Sequence, residues 1–280
     1  MSNLISVAEL AQSIPDGTKL AIAKDGSGVS IVSTVALIER GIRDLHLVCV
    51  PTSGLQADLL IGAGCVATLE TSAITLAEYG AAPRFSQAVK QGSIKLVDAT
   101  CPAVYAGMQA SQKGIPFIPL RGIIDSDLLN HRSDWQVIDN PFADQDPIVA
   151  IKAIDPQIAL FHAFAADRFG NVFLGRDRDG LLLAHAARTS FVTVENILEG
   201  NLLDDPDRAG SVIPAMYIEG IAHVPQGSWP LPFGDIAPGS DEWMQRYVGQ
   251  ARDPQGFTQW IDDASAAAPW LEHLAAAQAH

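Results

Sequence analysis

The sequence lacks the features that mark several common classes of protein. It has only three cysteines among 280 residues. Their odd number, without paired spacing, indicates neither a disulfide framework nor a zinc site. No apolar run approaches the roughly 18 residues that a membrane-spanning helix requires. The amino terminus also lacks the basic and apolar segments of a signal peptide. We therefore expect a cytoplasmic protein.

Basic residues are also scarce. The chain has 18 Lys and Arg against 32 Asp and Glu, which gives a formal net charge of -14. Such a charge disfavours binding to nucleic acid, because neutralisation of phosphates by basic side chains supplies most of that affinity. It disfavours an anionic membrane surface for the same reason. A phosphorylated ligand is still compatible with this charge, since a few backbone N–H groups at a helix N-terminus can hold one phosphate.

Glutamate is missing from a long central part of the chain, because none occurs between Glu78 and Glu195. Glu70 and Glu78 precede this gap and are candidates for a nucleophilic carboxylate near a cleft. A surface or capping role is the alternative for each of them. The sequence offers no Ser-His-Asp or Cys-His arrangement that would compete with a carboxylate nucleophile.

Apolar residues, by contrast, are abundant and make up 48% of the chain. Short apolar runs alternate with helical patterns, which predicts an α/β fold with an open, mostly parallel sheet and helices on both faces. After about residue 225, a turn-rich aromatic segment leads into a helical extension, and we predict a single domain over residues 1–280. The predicted strands are 20–23, 45–50, 65–69, 94–97, 115–118, 148–154, 158–161, 191–194 and 217–224. The predicted helices are 30–40, 83–91, 102–113, 181–188, 240–250, 254–263 and 268–278.

The loop after the first predicted strand is a candidate ligand site. It reads Lys24-Asp-Gly-Ser-Gly28 and precedes a predicted helix. Gly26 and Gly28, with Ser27 between them, let the backbone approach a ligand, and the helix N-terminus offers free N–H groups to an anion. The loop lacks the third glycine of a dinucleotide fingerprint and the Gly-Lys-Ser/Thr of a phosphate loop. An ordinary strand-to-helix turn is the alternative.

A second candidate is the segment 120–127, which follows the predicted strand 115–118. Ligands of open α/β sheets lie at the carboxyl ends of the strands. Arg121, Gly122 and Ser126 could there supply an oxyanion donor or an anion anchor. The alternative is a solvated loop in which Ser126 or Asp125 caps the next helical turn.

A third candidate region surrounds His162, where an apolar run ends before a polar turn from Asp167 to Asn171. A histidine at a strand end is more often a packing residue than a functional one, and Asp, Gly and Asn are typical of a hairpin turn. No second ligand stands at a metal-binding spacing, so we expect no metal site. Further on, a buried strand is predicted to end at the pair Glu195-Asn196.

The order of these segments resembles the alpha subunits of class I CoA-transferases, of the glutaconate CoA-transferase type. The succession of runs from 158 to 200 resembles the second half of those subunits, and the resemblance covers residues 7–263. The segments that carry it read ALIERGIRDLHLV (36–48), DLLIGAGCV (58–66), FSQAVKQG (85–92), ASQKGIPFIP (110–119), DNPF (139–142), and IP (213–214) with AHVPQGSW (222–229).

The resemblance implies an enzyme that moves CoA between an acyl-CoA and a carboxylic acid. A glutamate carboxylate attacks the thioester to form an acyl anhydride, CoA returns to give a glutamyl-CoA thioester, and an incoming carboxylate takes the CoA. In this type of transferase the glutamate usually belongs to the beta subunit. The family therefore implies a beta-subunit partner, paired heterodimers, CoA esters as substrates and no tightly bound cofactor. The residues expected to line the pocket are Gly26, Ser27, Gly28, Ser72, Arg121, Gly122 and Ser126, with His162 and Asn171 in support.

The chain departs from the family pattern in two loops. Relatives that hydrolyse a carbon–carbon bond in a ring-containing acyl-CoA carry a glutamate just before the helix that here contains Tyr105. The corresponding loop reads Asp98-Ala-Thr-Cys101-Pro and has no glutamate. The loop 24–28 also lacks the double glycine of the family. The alternatives to a transferase are a subunit of a hydrolase that cleaves a C–C or thioester bond, and a non-catalytic subunit that binds CoA esters.

Overall fold

The computed structural model describes residues 3–271 and 274, and in this part of the chain helices flank two β-sheets. The strands within these residues are β1 (Lys19–Ile22), β2 (Leu45–Cys49), β3 (Val66–Thr71), β4 (Lys95–Asp98), β5 (Phe117–Leu120), β6 (Trp135–Asp139), β7 (Pro147–Lys152), β8 (Ile158–Asp167), β9 (Val172–Phe173), β10 (Thr189–Leu198), β11 (Val212–Ile213) and β12 (Ile218–His223). The α-helices are α1 (Val7–Gln12), α2 (Ile31–Glu39), α3 (Leu55–Gly62), α4 (Pro83–Gln91), α5 (Cys101–Lys113), α6 (Leu128–His131), α7 (Asp179–Ala186), α8 (Asp241–Gln250) and α9 (Pro254–Ala267).

The larger sheet is mostly parallel. Its order is β4-β3-β2-β1-β8-β10-β12, and all of these neighbours pair in parallel. The short strand β9 pairs antiparallel with β8, and β11 pairs antiparallel with β9. Parallel strands need a crossover connection, and α2, α3 and α4 provide it between the first four strands. The prediction of an α/β fold with a mostly parallel sheet is confirmed.

Strand β8 has three successive partners along one of its edges. Residues 158–160 pair with β1. Next, the backbone N–H of His162 donates to the carbonyl of Gly28 at 2.7 Å. Finally, Ala165 and Ala166 pair with β9. The opposite edge of β8 pairs with β10 along its full length. The loop that follows β1 is therefore held against the edge of the sheet, in the interval between β1 and β9.

The central strands are buried because they are apolar on both faces. Leu20, Ile22 and Leu47 are 0% exposed, as expected for strands covered by helices on each side. Burial of each such side chain stabilises the fold by about 1.5–3 kcal/mol. The helices α4 and α5 end at Gly92 and Gly114, which both adopt the left-handed conformation that glycine favours at a helix end.

The smaller sheet differs from the prediction. Its order is β5-β7-β6 and its pairing is antiparallel throughout. The predicted strands 115–118 and 148–154 belong to this sheet as β5 and β7, so they do not extend the parallel sheet. Strand β6 was not predicted, because the polar residues Gln136 and Asp139 interrupt and end its short apolar run.

A buried ion cluster joins the two sheets. The Arg132 guanidinium precedes β6, and its Nη2 lies 2.9 Å from Glu70 Oε1 on β3 and 2.9 Å from Asp134 Oδ2. Its Nη1 donates to the Asp98 carbonyl at the end of β4. The guanidinium also stacks 4.1 Å from the centre of the Trp135 ring. One side chain thus ties two strands of the larger sheet to the smaller sheet.

The carboxyl-terminal helices pack on the same hydrophobic core as the sheet. Met244, Tyr247, Phe257 and Trp260 are buried members of that core. The prediction of a single domain stays a prediction. The predicted helix 268–278 lies mostly outside the described residues. Across the described chain, none of the helices combines the length and the apolar character needed to cross a bilayer.

Two other predictions need correction. The strands β8 and β10 are each ten residues long, whereas the apolar runs predicted four. The pair Glu195-Asn196 consequently lies within β10 and not at its end. The pairing of β10 with β8 continues to Leu198, so tertiary hydrogen bonding extends both strands beyond their most apolar residues. The helices α1, α3 and α6 were not predicted.

Candidate active site at the carboxyl edge of the larger sheet

The carboxyl ends of the parallel strands meet at one edge of the sheet, where open α/β sheets bind their ligands. The loop 24–28 follows β1 at this edge. Lys24 Nζ lies 2.7 Å from Asp179 Oδ2 at the start of α7. Ser27 Oγ donates to the same carboxylate at 3.3 Å, and the Tyr105 hydroxyl of α5 lies 3.4 Å from its other oxygen. The hydrogen bond to Asp179 raises the pKa of Lys24 above its usual value. The loop is therefore fixed to two helices by one carboxylate.

Asp25 carries the inward-facing carboxylate of this loop. Its oxygens accept hydrogen bonds from the backbone N–H groups of Gly54 at 3.2 Å and Leu55 at 3.0 Å, at the start of α3. A Cβ on Gly54 would collide with this carboxylate. Burial raises the pKa of Asp25 to about 6 despite these two N–H donors, and the nearby charge of Asp58 adds to the effect. Asp25 therefore titrates not far below neutral pH.

The Asp25→Asn variant is expected to change how stability depends on pH. The folded-state pKa of about 6 exceeds the ordinary value of 3.8. The proton-linked stability from Asp25 is thus fully present below the ordinary pKa and is lost as the pH rises through the folded-state pKa. The difference corresponds to about 3 kcal/mol. As the pH rises from about 4 to 7.5, the free energy of unfolding of the variant, measured in urea, should increase relative to that of the wild type by up to this amount. Parallel stability curves would contradict a raised pKa.

His162 lies beneath the loop and contacts a buried glutamate. Its Nε2 is 2.7 Å from Glu195 Oε1, and its Nδ1 is 2.7 Å from the hydroxyl of Thr193. The second carboxylate oxygen of Glu195 accepts the backbone N–H of Gln226 at 2.8 Å. Burial opposes charge on Glu195, but the hydrogen bonds from His162 and Gln226 outweigh it, so the pKa of Glu195 lies below its usual value.

The structure brings some of the sequence-predicted residues together and separates others. Gly26, Ser27, Gly28 and His162 lie in one cluster around the loop 24–28. Ser72 follows β3 at the same edge, and its Oγ is 3.2 Å from the thiol of Cys101 at the start of α5.

Arg121, Gly122 and Ser126 follow β5 of the smaller sheet. The carboxyl-edge rule therefore does not apply to these three residues, because it concerns parallel sheets and β5 pairs antiparallel. Arg121 is exposed and forms a bidentate ion pair with Asp146. The contribution of this segment to a pocket stays a prediction.

Asn171 stabilises the hairpin between β8 and β9. Its amide donates to Asp167 Oδ2 at 2.8 Å and to Asn201 at 3.1 Å, and its carbonyl oxygen accepts the N–H of Ala215. Asp167 also accepts the N–H groups of Phe169 and Asn171, which is the turn chemistry that the sequence predicted. Asn171 thus connects the far end of β8 to two neighbouring loops.

The two predicted nucleophile candidates are placed differently. The carboxylate of Glu70 is buried beside Arg132, and its Oε2 lies 3.4 Å from both Lys19 Nζ and His46 Nε2. Burial disfavours charge on this carboxyl, but His46, Lys19 and Arg132 together hold the pKa of Glu70 below its usual value. Glu78 is exposed on the short 3-10 helix Ala77–Tyr79. A nucleophilic role for either residue stays a prediction.

Sequence reasoning missed Asp179, Tyr105 and Thr193 as members of the cluster. Asp179 stands in the run Arg176-Asp-Arg-Asp179, which reads as a solvated surface segment. Glu195 did give a signal, since it is the first glutamate after a long gap and follows a fully apolar run. Among the described residues, no group of three or more His, Cys, Asp or Glu side chains is placed to hold a metal ion.

Comparisons with known proteins find CoA-transferases together with a hydrolase subunit. The family model described as coenzyme A transferase matches residues 4–223. The A subunit of the 3-oxoadipate CoA-transferase of Pseudomonas knackmussii is 30% identical, and the match covers 94% of this chain and 93% of that protein. The IpdA subunit of the cholesterol ring-cleaving hydrolase of Rhodococcus jostii is 27% identical, over 92% of this chain and 90% of that protein. The crystal structure of glutaconate coenzyme A-transferase from Acidaminococcus fermentans has the same fold, with a TM-score of 0.87, 20% identity, and coverage of 93% and 88%.

Proposed function

We propose, from the premise that this chain belongs to the coenzyme A transferase family, that the carboxyl edge of its larger sheet forms one half of an active site. The chain is the A-type subunit of a heteromeric CoA-transferase and acts with a partner subunit. CoA-transferases use CoA esters as substrates. We further propose that the partner is a beta subunit, that the two chains assemble as paired heterodimers, and that no cofactor is tightly bound.

The observation that carries the proposal is that both buried glutamates already form ion pairs or hydrogen bonds within this chain. Among the residues that the structure describes, Glu70 and Glu195 are the buried glutamates. Glu70 faces the cations of the ion cluster, and Glu195 is held by His162 and the N–H of Gln226. A nucleophilic carboxylate needs an oxygen that can reach the substrate. Since the glutamate of this type of transferase usually belongs to the beta subunit, we infer that the attacking glutamate comes from the partner subunit, and the exposed Glu78 is the alternative in this chain.

The reaction follows from that assignment. A carboxylate oxygen of the partner's glutamate bonds to the thioester carbonyl carbon, and the CoA thiolate leaves to give an acyl anhydride. The thiolate then bonds to the glutamyl carbonyl and releases the original acid, which leaves glutamyl-CoA. The acceptor acid repeats these two steps in reverse order and leaves as the new acyl-CoA. No net water or redox equivalent is consumed, so the active site must exclude water.

The loop 24–28 is our proposed contribution of this chain to the pocket. Gly26 has a positive φ and open space where a Cβ would stand, so a ligand could approach its backbone closely. Ser27 and Gly28 are buried behind it. Backbone N–H groups of such a loop would stabilise the oxyanion that forms at each tetrahedral step. Ser72 follows β3, which is separated from β1 by β2, and would border the same pocket.

A second candidate function is the hydrolysis of an acyl-CoA, which the likeness to the ring-cleaving hydrolase subunit favours. In this chain the segment before α5 has no glutamate, and α5 begins with Cys101, which is exposed and contacts Ser72. The family's hydrolases carry a glutamate there. This difference is why we prefer transfer to hydrolysis.

Trapping of the covalent intermediate tests the proposal. The two-subunit enzyme is incubated with succinyl-CoA or acetyl-CoA, with 3-oxoadipate or glutaconate as acceptor, and then reduced with borohydride. We expect a reduced glutamate in the partner chain and CoA transfer only when an acceptor acid is present. Release of free CoA without an acceptor would indicate a hydrolase. Modification of Glu70 or Glu78 would place the nucleophile in this chain, and Glu78→Gln provides a matched check for the exposed candidate.

A further inference from the structure

His162 contacts two glycine-containing loops at once. Its backbone N–H donates to the carbonyl of Gly28, which brings the loop 24–28 against β8. Its ring packs on Gly227, where an added Cβ would stand 3.1 Å from both Cε1 and Nδ1. Phe233 closes the other side of the imidazole with an edge contact, 4.7 Å between ring centres. His162 thus contacts the loop 24–28 through its backbone and the second loop through its ring.

Glu195 holds the second loop by a separate contact. Its Oε2 accepts the N–H of Gln226, which has a positive φ of 58°. Its Oε1 faces Nε2 of His162 at 2.7 Å. The loop continues to Gly227, whose carbonyl accepts the N–H of Val32 in the first turn of α2. The His162–Glu195 pair thus lies where the loop 24–28, the loop 226–228 and the start of α2 meet.

A chain of hydroxyl groups fixes the other side of the imidazole. Thr193 Oγ1 lies 2.7 Å from Nδ1 and 2.9 Å from Ser30 Oγ, which lies 2.8 Å from Ser33 Oγ. Since an ionised carboxylate only accepts hydrogen bonds, Nε2 must carry a hydrogen. With Nδ1 unprotonated, each hydroxyl donates toward the histidine; with Nδ1 protonated, each donates away from it. In both cases, each contact between these hydroxyl groups, and the contact of Thr193 with Nδ1, is a hydrogen bond with one donor and one acceptor.

We propose that His162 and Glu195 are a positioning pair that fixes the loops 24–28 and 226–228 relative to each other at the carboxyl edge of the larger sheet. Neither side chain contacts the reacting atoms. The proposal rests on the proposed function only in assigning the loop 24–28 to the pocket. The pair is nearly inaccessible, with exposed fractions of 1% for His162 and 7% for Glu195. Its effect on the reaction would come from the backbone positions that it fixes, because small displacements of positioning groups lower the rate strongly.

Two substitutions at one position separate positioning from chemistry. In Glu195→Gln the side-chain oxygen can still accept the N–H of Gln226. The new amide can donate to Nε2 once the imidazole hydrogen moves to Nδ1, and the hydroxyls of Thr193 and Ser30 accommodate that tautomer by donating away from the ring. Glu195→Ala removes both contacts. In the two-subunit enzyme with succinyl-CoA and 3-oxoadipate, we expect the Gln variant to stay within about threefold of the wild-type kcat. The Ala variant should lose about tenfold to a hundredfold in kcat, with KM changed less than about threefold.

A second readout does not depend on turnover. Hydrogen–deuterium exchange of peptides covering residues 24–30 and 225–233 should accelerate in Glu195→Ala and remain near wild type in Glu195→Gln. Tyr247→Phe is the matched control, because it removes another buried hydrogen bond, from the Tyr247 hydroxyl to Asp58 at 2.6 Å. We expect it to lower the melting temperature without accelerating exchange in these two segments.

The outcomes are distinct from those that test the proposed function. Wild-type exchange and kinetics in Glu195→Ala would overturn the positioning pair. A loss of activity in Glu195→Gln as large as in Glu195→Ala would also overturn it, because the charge of Glu195 would then act directly. Absence of turnover in the wild-type enzyme, together with the expected exchange pattern, would contradict the proposed function and leave the positioning pair supported.

Discussion

Gly28→Ala should reduce kcat of the two-subunit enzyme by about a hundredfold and lower the free energy of unfolding by about 2–5 kcal/mol. Gly28 has a φ of 80°, and an added Cβ would collide with the backbone carbonyl of His162. That carbonyl belongs to β8 and cannot move without disrupting the pairing of β8 with β10. The loop itself must therefore shift away from the sheet, together with any pocket that it lines.

Gly26→Ala is the matched control, two residues earlier in the same loop. Its φ of 85° is as unfavourable for alanine as that of Gly28, but no heavy atom lies within 4 Å of the added Cβ. We expect only the backbone cost of about 1–2 kcal/mol. Urea unfolding of both variants makes the comparison, because Gly26 faces the proposed pocket and an added Cβ there would change the rate for a different reason. Equal losses of stability in the two variants would show that the collision with His162 does not constrain the loop.

Arg132→Met should cost about 3 kcal/mol of folding free energy. The Arg132 side chain is 4% exposed and neutralises Glu70, which is 5% exposed. Its removal leaves a buried carboxylate with the more distant Lys19 and His46 as partners, and the loss of one member of a buried ion pair typically costs about 3–5 kcal/mol. The hydrogen bond to the Asp98 carbonyl is lost as well. Unfolding in urea followed by far-ultraviolet circular dichroism measures the change.

The double variant Glu70→Leu with Arg132→Met tests the cause of that loss. Replacement of a whole buried ion pair by apolar side chains is often close to neutral. We therefore expect the double variant to be more stable than Arg132→Met alone. A double variant that loses the sum of the two single effects would indicate that Arg132 acts through its contacts with Asp134 and Trp135 and not through Glu70.

Much of the parallel sheet was predictable because its strands are short, apolar and separated by helices with clear ends. The helix α4 begins at Pro83 and ends before Gly92, as predicted from the preference of proline for the first turn and of glycine for the end. The strands β8 and β10 were predicted too short, because His162 and Glu195 interrupt their apolar runs. Pairing between the two strands, which a local pattern does not show, extends both of them.

The candidate site was predictable only where its residues are close in sequence. The loop 24–28 stands out because two glycines and a serine follow a buried strand. The partners that fix this loop, Asp179 and Tyr105, come from helices far along the chain and carry no local signal. The segment 120–127 was predicted to lie at the carboxyl edge of the parallel sheet, and this was wrong. The sequence predicted β5 as a strand but not the antiparallel sheet to which it belongs.

Four of the five tryptophans lie together in the carboxyl-terminal region. The ring centres of Trp229 and Trp243 are 5.3 Å apart, and Trp229 and Trp270 are 5.8 Å apart; Trp243 and Trp260 are 6.2 Å apart. The fifth, Trp135, lies alone beneath the Arg132 guanidinium. Intrinsic fluorescence of this protein therefore reports mainly on detachment of α8 and α9, because Trp243 and Trp260 lie on these helices and the two other clustered indoles contact them or their neighbours. A Trp135→Phe background would leave that signal almost intact, whereas a chain that retains only Trp135 would provide an optical probe of the junction between the two sheets.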